Sequence, residues 1–315
     1  MTQSKPVVGV SACVIGEEVR YDSGHKRSVF VDTQLRQLVS FKPICPEVGI
    51  GLTVPRPTIR LRWVGESIRL MDDKNHIDHT DKMVQFNNNI LPSLEGLSGY
   101  VVCAKSPTCG MERVKVLQED TKGAEYKGRG LFTKALMERY PLLPVEEDGR
   151  LNDQHLRENF VLRVLIFQQA QQLLAAPSQA KLQSFHQQHK LLLLAHNQTI
   201  YRQLGPLVAE AFDGDSYHKT LAYVTLMMTA LAKPANRKGH TNALQHIQGY
   251  FKKDLDSAEK KHLEESILAY RNGRLPLMAP LSIVNHILSK YPKPYIIGQS
   301  YLEPTPEQLA LRCNL

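Results

Sequence analysis

The chain has 315 residues, of which 42% are hydrophobic and 22% charged, and its net charge is +8. This length allows two domains with separate cores, and the composition is that of an ordinary globular protein. A membrane-spanning helix needs roughly 18 apolar residues, whereas the longest candidate runs only from Leu221 to Ala232. The opening residues MTQSKPVVGV lack the apolar core of a signal peptide. We therefore expect a cytoplasmic protein with no membrane partner.

The positive charge is unevenly distributed along the chain. Residues 1–150 carry 21 Lys and Arg against 19 Asp and Glu, whereas residues 151–315 carry 18 against 12. An excess of positive charge in one half favours a polyanionic partner for that half, although many basic domains bind nothing acidic.

The first half alternates strand-like and helical segments. Three apolar runs have the character of strands and end in small residues and proline: KPVVGVSAC, SFKPICPE and SGYVVCAKSP. Between and after them, helical spacing marks VFVDTQLRQLVS, HTDKMVQFNNNILPSL (with Thr80 as its cap) and GRGLFTKALMERYP. IRLMDD is a further strand-like run. This alternation predicts an α/β domain with a mostly parallel, Rossmann-like sheet.

The second half has the pattern of a mainly α-helical domain. The polar, turn-rich segment VEEDGRLND (residues 145–153) is the expected linker. Helical periodicity then fills HLRENFVLRVLIFQQAQQLLAA, LQSFHQQHKLLLLAHNQTIYRQLG and SYHKTLAYVTLMMTALA, and a strand signal appears only in PYIIGQSYL. We divide the chain into a first domain (1–152), a connecting helix (153–178) and a helical domain (179–315).

Three cysteines share one position in the strand pattern. Cys13, Cys45 and Cys109 each lie at or beyond the carboxyl end of a predicted strand, and these ends meet at the ligand-binding edge of an open α/β sheet. Structural disulfides are rare in cytosolic proteins, so metal binding, catalysis or plain burial remain. Zinc lacks support because no CxxC pair or nearby His completes a site. Three thiolates on a 4Fe-4S cluster would leave one iron open to act as a Lewis acid.

The other two cysteines are expected to have no ligand role. Cys103 lies inside YVVCA, where alternation places it on a face of the sheet, so we predict a core residue. Cys313 lies two residues from the end of the sequence, and we predict a mobile thiol there.

Three well-separated segments, SACVIGEEVRYDSGHK, CPEVGIGLTVPRP and KSPTCGM, resemble the signature segments of the thiouracil desulfurase (TudS) family. The resemblance implies an oxygen-sensitive 4Fe-4S cluster on Cys13, Cys45 and Cys109, whose open iron takes sulfur from a thiocarbonyl. HQQHKLLLLAH, YRQLG and KGHTNALQHIQGYFKK resemble the helical domain of longer members, which include enzymes for 4-thiouridine in tRNA. One departure is Thr108, where Ser is more usual.

Desulfuration also requires an activated water and a group that holds the pyrimidine ring. Glu47, two residues beyond Cys45, is the predicted general base, and its alternative is a solvent-exposed loop carboxylate. Ser106, three residues before Cys109, is predicted to bond the base edge and relay a proton; the alternative is a turn or cap serine beside Pro107.

Five further residues of the first half can contact the pocket or a phosphate, or can serve the surface and packing: Arg20, Tyr21, His25, Arg56 and Lys105. Arg56 stands between two prolines, so its positioned guanidinium can pair with a phosphate or a carboxylate.

The segment KPANRKGHTNALQHIQGYFKK (residues 233–253) is basic and contains no acidic residue. Cations pair with phosphates, while amides and aromatic rings contact bases. The predicted tRNA contacts are Lys233, Arg237, Lys238, His240, Lys252 and Lys253, and a solvated basic face is the plainer alternative. His186, His189 and His196 recur at helical offsets, and we interpret them as a polar face rather than a metal site.

These features predict a two-domain enzyme that converts 4-thiouridine in thiolated tRNA to uridine with a 4Fe-4S cluster. The first alternative is an enzyme for free thiouracil or thionucleotides. The second is a non-catalytic, cluster-bearing protein that binds nucleic acid or senses redox state. The sequence leaves the oligomeric state open.

Overall fold

The computed structural model describes residues 5–118, 123–210, 212 and 214–305, so the predicted tail thiol Cys313 lies outside the described residues. The chain forms two compact units, of which the first ends at Asp153 and the second begins at Gln154. Within the described ranges, no helix has both the length and the apolar character needed to span a membrane.

In the described residues of the first unit, the strands form two four-stranded sheets. The strands are β1 (Val7–Ser11), β2 (Ser40–Ile44), β3 (Ile59–Val64), β4 (Ser67–Asp72), β5 (Gly99–Val102), β6 (Val114–Leu117), β7 (Ala124–Gly128) and β8 (Val145–Glu147). The order of the first sheet is β2-β1-β5-β8, and that of the second is β4-β3-β6-β7.

The first sheet is parallel throughout, which confirms the predicted α/β class. Its two central strands are buried along nearly their whole length, because β1 exposes only Val7 and β5 exposes nothing. Continuous apolar runs are typical of parallel strands that are covered on both faces. The three predicted strand runs therefore occupy adjacent positions, and their carboxyl ends lie at one edge.

The second sheet is not part of the predicted architecture. β3 and β4 pair antiparallel, as do β6 and β7, and only β3 and β6 are parallel. The run IRLMDD is a strand, as expected, but it belongs to this mixed sheet. Short hairpin strands carry little periodicity, so the sequence did not assign them to a second layer.

The helices of the first unit are short: α1 (Arg36–Leu38), α2 (Pro46–Gly49), α3 (Thr80–Ile90) and α4 (Leu131–Arg139). α1 continues a π-helical turn over Phe30–Leu35. The predicted cap at Thr80 is wrong, because its hydroxyl accepts from the backbone N–H of Leu70 and makes no cap hydrogen bond.

The predicted linker is also wrong over its first half. Val145–Glu147 forms strand β8, which pairs with β5. The carboxylates of Glu147 and Asp148 are buried. Glu147 accepts from the backbone N–H groups of Met111 and Glu112. Asp148 accepts from the Ala104 N–H and pairs with Lys26. These partners offset the cost of burying charge, and a local polarity pattern does not reveal them.

The second unit is helical. Its helices are α5 (Gln154–Ala175), α6 (Gln179–His196), α7 (Gln198–Ala209), α8 (Ser216–Leu231), α9 (Arg237–Tyr250), α10 (Ser257–Arg271), α11 (Met278–Lys290) and α12 (Pro294–Ile297). Asn197 separates α6 from α7, and its side chain caps α7 by accepting from the Ile200 N–H. The strand signal in PYIIGQSYL is wrong, because its first residues form the helical turn α12.

The predicted polar histidine face is wrong for two of its three members. His186 and His189 are buried, and burial lowers the pKa of each ring to about 4. His186 Nδ1 lies 3.0 Å from the Tyr223 hydroxyl, and His189 Nδ1 lies 2.7 Å from Ser300 Oγ. The rings are neutral hydrogen-bonding members of the helical core.

Candidate active site

The parallel sheet brings three cysteines to one edge. Cys13 lies in the 3₁₀ turn Ala12–Ile15 that follows β1 directly. Cys45 follows β2 and begins helix α2, while Cys109 lies in the loop after β5. Because β2, β1 and β5 are adjacent and parallel, the predicted convergence of these residues is present in the structure.

The edge contains a cavity of about 410 Å³. It is lined by all three cysteines together with the predicted base Glu47 and the predicted proton relay Ser106. Cys13 and Cys109, which are 96 positions apart in the sequence, thus line the same cavity. Their proximity turns the candidate residues into one candidate site.

Cys103 is buried, as predicted, but it also lines this cavity. Its backbone N–H donates to Ser11 Oγ at 3.0 Å, which fixes the end of β5 against the end of β1. Its thiol is hydrogen-bonded to the thiol of Cys13. Strand alternation identified a buried face, but it did not show that the face borders the site.

In the protein alone, the pKa values of three cavity thiols are raised, whereas the hydrogen bond with Cys13 lowers the pKa of the fourth, Cys103. Burial raises the pKa of Cys45, and it raises the pKa of Cys109 to about 12. The hydrogen bond with Cys103, followed by burial, raises the pKa of Cys13. Metals bind thiolates, so loading of this site must release protons.

The donor set fits an iron–sulfur cluster better than a single ion. Among the described residues, no three His, Cys, Asp or Glu side chains converge as ligands of one metal ion. Ligands of a 4Fe-4S cluster bind different iron atoms and need not converge on one point. Cys13, Cys45 and Cys109 lie around this cavity, which Cys103 also lines, and no histidine is among its described lining residues. This donor set matches that requirement.

Glu47 is held by a buried arginine. It lies in the first turn of α2, and its Oε2 accepts from Nε and Nη2 of Arg56 at 2.9 and 2.6 Å. The Arg56 side chain is only 3% exposed and also donates to the carbonyls of Val19 and Thr53. Arg56 therefore pairs with a carboxylate, one of the two partners that the sequence allowed.

The other carboxylate oxygen of Glu47 joins a chain of hydroxyls. Thr108 Oγ1 donates to Glu47 Oε1 at 3.0 Å and lies 3.0 Å from Ser106 Oγ. Ser106 Oγ accepts from the backbone N–H groups of Thr108 and Cys109. These two contacts are those of a turn serine, which was the alternative interpretation of Ser106. The same hydroxyl also belongs to a hydrogen-bonded path to Glu47. Thr108 provides that link, which Ser at this position could also supply.

The loop that carries Ser106 and Cys109 is fixed by the start of α4. The N–H groups of Leu131 and Phe132 donate to the carbonyls of Pro107 and Thr108. At Gly130, a Cβ would overlap with the Thr108 backbone, so only glycine allows this approach. The second glycine of the GRG sequence therefore has a packing role. The sequence feature that indicates this role is a glycine immediately before a predicted helix.

The cavity also has cationic and aromatic lining groups. Arg20, Tyr21 and Lys105 line it, as the sequence allowed, and Arg60 joins them from β3. His25 is exposed and is not among the lining residues. Lys105 has a positive φ of 63°, a conformation that is uncommon for a residue with a Cβ and often marks functional loops.

The model of the 2-thiouracil desulfurase family matches residues 8–148, a range that contains every residue lining the cavity. A second family model, described as a protein of unknown function (DUF1722), matches residues 190–306. The uncharacterized protein YbgA of Escherichia coli (strain K12) is 40% identical over 131 residues, which are 41% of this chain and 76% of YbgA. The first unit of the chain belongs to the 2-thiouracil desulfurase family.

One solved structure with similarity to this chain is a [4Fe-4S]-dependent thiouracil desulfidase, TudS. It is 26% identical, with a TM-score of 0.37, and the similarity covers 48% of this chain and 94% of that one.

The residues predicted to contact tRNA occupy different environments in the helical unit. Lys233, Lys238, Lys252 and Lys253 are exposed. Arg237 donates to the Tyr270 carbonyl at 2.6 Å and lies over the Tyr270 ring. His240 Nδ1 lies 3.1 Å from the Tyr301 hydroxyl. Lys238 lies in the first turn of α9, Lys233 precedes the helix, and Lys252 and Lys253 follow it; the 14 residues of α9 extend for ~20 Å.

Proposed function

We propose that this protein removes sulfur from 4-thiouridine in tRNA and leaves uridine. The observation that carries the proposal is the cavity in which Cys13, Cys45 and Cys109 meet Glu47. It lies within the range that matches the 2-thiouracil desulfurase family, which supports desulfuration of a thiolated pyrimidine.

Cys13, Cys45 and Cys109 would hold a 4Fe-4S cluster. With three protein ligands, the cluster would supply one iron with an open position, a Lewis acid toward sulfur. Among the described residues, no histidine and no acid other than Glu47 lines the cavity, which suits a sulfur-binding rather than an oxygen-binding metal site.

Glu47 takes the proton from the attacking water. Arg56 fixes its Oε2, and Thr108 fixes its Oε1, so the carboxylate has one orientation toward the cavity. Attack of water on the ring carbon forms a C–O bond, and the C–S bond breaks to release hydrosulfide. The oxygen of water replaces sulfur without any change of oxidation state, so no oxidant or reductant is needed.

Ser106 and Thr108 hold and move protons between Glu47 and the pyrimidine. Their hydroxyls lie 3.0 Å apart and connect to Glu47, so a proton taken from water has a path back to the pyrimidine. A positioned acid or base of this kind contributes ~10²–10⁴-fold to a rate.

The charge distribution supports tRNA as the substrate. The second half carries 18 Lys and Arg against 12 Asp and Glu, and the cavity itself is lined by Arg20, Arg60 and Lys105. Cations of either set can pair with the phosphates of a polynucleotide. The thiolated base would enter the cavity unstacked, as bases do in other base-modifying enzymes.

Free thiouracil is the second candidate substrate. The matching family model carries its name, and the first unit alone contains the cavity. In that case, the helical unit would contribute only to stability or assembly.

The two candidates are separated by one experiment. Cluster-reconstituted protein is incubated without oxygen with 4-thiouridine-containing tRNA, free 2-thiouracil or free 4-thiouracil, and hydrosulfide and the nucleoside composition are measured. We expect 4-thiouridine to disappear from tRNA with one hydrosulfide released for each. Turnover of free thiobases alone would favour the second candidate, and an intact cluster without turnover of any substrate would overturn both.

A further inference from the structure

The loop after β5, here called the site loop (residues 104–112), carries three residues of the candidate site: Ser106, Thr108 and Cys109. A strained backbone position lies near each of its ends. Lys105 has a φ of 63° and Arg113 a φ of 53°, both in the left-handed region that residues with a Cβ rarely adopt. Such conformations persist only where surrounding contacts hold them. The site loop therefore needs fixed points close to both ends.

Two consecutive buried carboxylates supply these fixed points. Asp148 Oδ1 accepts from the backbone N–H of Ala104 at 2.7 Å, at the start of the loop. Glu147 Oε1 accepts from the N–H groups of Met111 and Glu112 at 2.9 and 3.3 Å, at its end. Glu147 is the last residue of β8, which pairs with β5, and Asp148 follows it. The carboxylates are thus fixed to the strand from which the loop departs.

Lys26 connects the Asp148 contact to the first cysteine segment. Its Nζ lies 3.1 Å from Asp148 Oδ2 and donates to the Ala104 carbonyl at 3.4 Å. Its backbone N–H donates to the Cys13 carbonyl at 2.9 Å. One residue therefore joins the segment of Cys13 to the start of the loop that carries Cys109.

The two carboxylates lie near different functional groups of the loop. Ser106 is two residues beyond Ala104, and Cys109 is two residues before Met111. A shift at the loop start would therefore move the Ser106 hydroxyl, whereas a shift at the loop end would move the Cys109 thiol. Neither carboxylate is among the described lining residues of the cavity, so both act through the loop backbone.

We propose that Glu147 and Asp148 are positioning residues for desulfuration: Asp148 sets the place of the Ser106 hydroxyl, and Glu147 sets the place of the Cys109 thiol. The proposal rests on the proposed function insofar as Ser106 moves a proton and Cys109 binds the cluster. Both carboxylates act by accepting from backbone N–H groups. An amide keeps an acceptor oxygen and can replace them, whereas a hydrocarbon side chain of similar size cannot.

The test compares hydrocarbon and amide replacements in full-length protein that is loaded with the cluster without oxygen. The variants are D148L, D148N, E147L and E147Q. Loss of iron to an excess of chelator is measured for each, together with kcat and KM on free 2-thiouracil and on 4-thiouridine-containing tRNA. The rate of iron loss requires no turnover, so it reports on the loop independently of the reaction.

Folding of the first unit is measured in parallel. Trp63, the one tryptophan of the chain, lies in β3, so its fluorescence reports on this unit alone. D148A and E147A replace the leucine variants if these lack the fluorescence of the folded unit. The matched control is D72L, because Asp72 is also a buried carboxylate that accepts from two backbone N–H groups, and it is not among the described residues that line the cavity.

We expect D148L to lower kcat ~10- to 100-fold, with a smaller change in KM and wild-type retention of iron. E147L should instead lose iron ~10- to 100-fold faster than the wild type. D148N and E147Q should recover most of the lost rate and retention. D72L should keep wild-type kcat and iron retention, although it should unfold at a lower temperature.

Two results would overturn the proposal. One is wild-type kcat and iron retention in folded variants that lack the acceptors. The other is a loss of kcat and iron that follows the loss of stability equally in all hydrocarbon variants, D72L included, which would reduce both carboxylates to a structural role. A cluster-loaded wild type that turns over no thiopyrimidine would instead count against the proposed function, and iron retention would still decide the role of Glu147.

Discussion

The two units place their functional candidates in different ways. In the first unit, Cys13, Cys45 and Glu47 follow strands of one parallel sheet and meet in a cavity. In the second, the predicted contact Lys238 lies on the surface and shares a cleft with Arg271 of a different helix. Strand ends in a parallel sheet converge by topology alone, whereas a shared helical surface depends on which helix faces meet. A sequence pattern can therefore reveal the first arrangement more readily than the second.

The largest expected effect separates cluster ligands from other thiols. Single Ala replacements of Cys13, Cys45 and Cys109 should each abolish the cluster, because loss of one of only three ligands leaves two irons without protein contact. Wild-type protein purified without oxygen should contain about four iron and four sulfide per chain. The matched control is C103A, which removes a cavity thiol that we do not assign as a ligand and should retain iron and sulfide. A colourless, zinc-loaded and fully active wild type would contradict the assignment.

The next effect separates chemistry from cluster binding. E47Q should retain the cluster absorbance and lower kcat ~10²–10⁴-fold, since an amide cannot take the proton from water. Arg56 is buried beside this residue and would lose its counter-charge, so thermal unfolding is measured in parallel. A folded, cluster-loaded E47Q with near-normal kcat would show that another group activates water.

A smaller effect is expected at the hydroxyl link. T108V preserves the shape of the side chain and removes the hydroxyl that donates to Glu47 and contacts Ser106. Loss of one such hydrogen bond corresponds to ~1–1.5 kcal/mol, so kcat should fall about 10-fold with little change in KM. T108S restores the hydroxyl and should recover most of the rate. Equal activity of T108V and T108S would limit Thr108 to packing.

The prediction with the smallest expected effect on turnover concerns the helical core, where the measured quantity is the free energy of unfolding. The pKa values of His186 and His189 are lowered to about 4, whereas both rings titrate near 6.5 when unfolded. Between these values, the unfolded chain binds more protons, so the stability of the helical unit is complete above pH 6.5 and falls toward pH 4. At pH 5, His189 alone should reduce the free energy of unfolding by about 2 kcal/mol.

Urea unfolding followed by far-UV circular dichroism at pH 7.5 and pH 5 measures this difference. H189Q keeps a hydrogen-bonding side chain near Ser300 and removes the titrating ring, so its unfolding should depend less on pH. An equal pH dependence in H189Q and the wild type would assign the effect to other groups.

The sequence predicted the parallel sheet and the meeting of the three cysteines, because the carboxyl ends of adjacent strands have only one edge to share. It did not predict that Arg56 and Thr108 fix the two oxygens of Glu47. Those contacts join residues nine and 61 positions apart through loops, and loop geometry has no periodicity to read. For Arg56, which lies between two prolines, the sequence predicted an ion-pair partner but did not decide between a phosphate and a carboxylate.

In two other regions, the polarity of the local sequence led to a wrong prediction of exposure. VEEDGRLND has the composition of a linker, yet Glu147 and Asp148 are buried and satisfied by backbone N–H groups from distant segments. His186 and His189 were placed on a polar face, yet they hydrogen-bond inside the helical core. In both regions, polar side chains are buried because tertiary partners are present, and those partners are not visible in the local sequence.

The most direct test of the proposed chemistry follows the oxygen atom. Cluster-loaded protein is incubated without oxygen gas in H₂¹⁸O with 4-thiouridine-containing tRNA, and the released nucleosides are examined by mass spectrometry. Because Glu47 is proposed to activate water against the ring carbon, uridine formed at the thiolated position should carry one ¹⁸O, while uridines elsewhere in the same tRNA should carry none. Uridine formed without ¹⁸O, or ¹⁸O incorporation that persists at the wild-type rate in E47Q, would contradict the account.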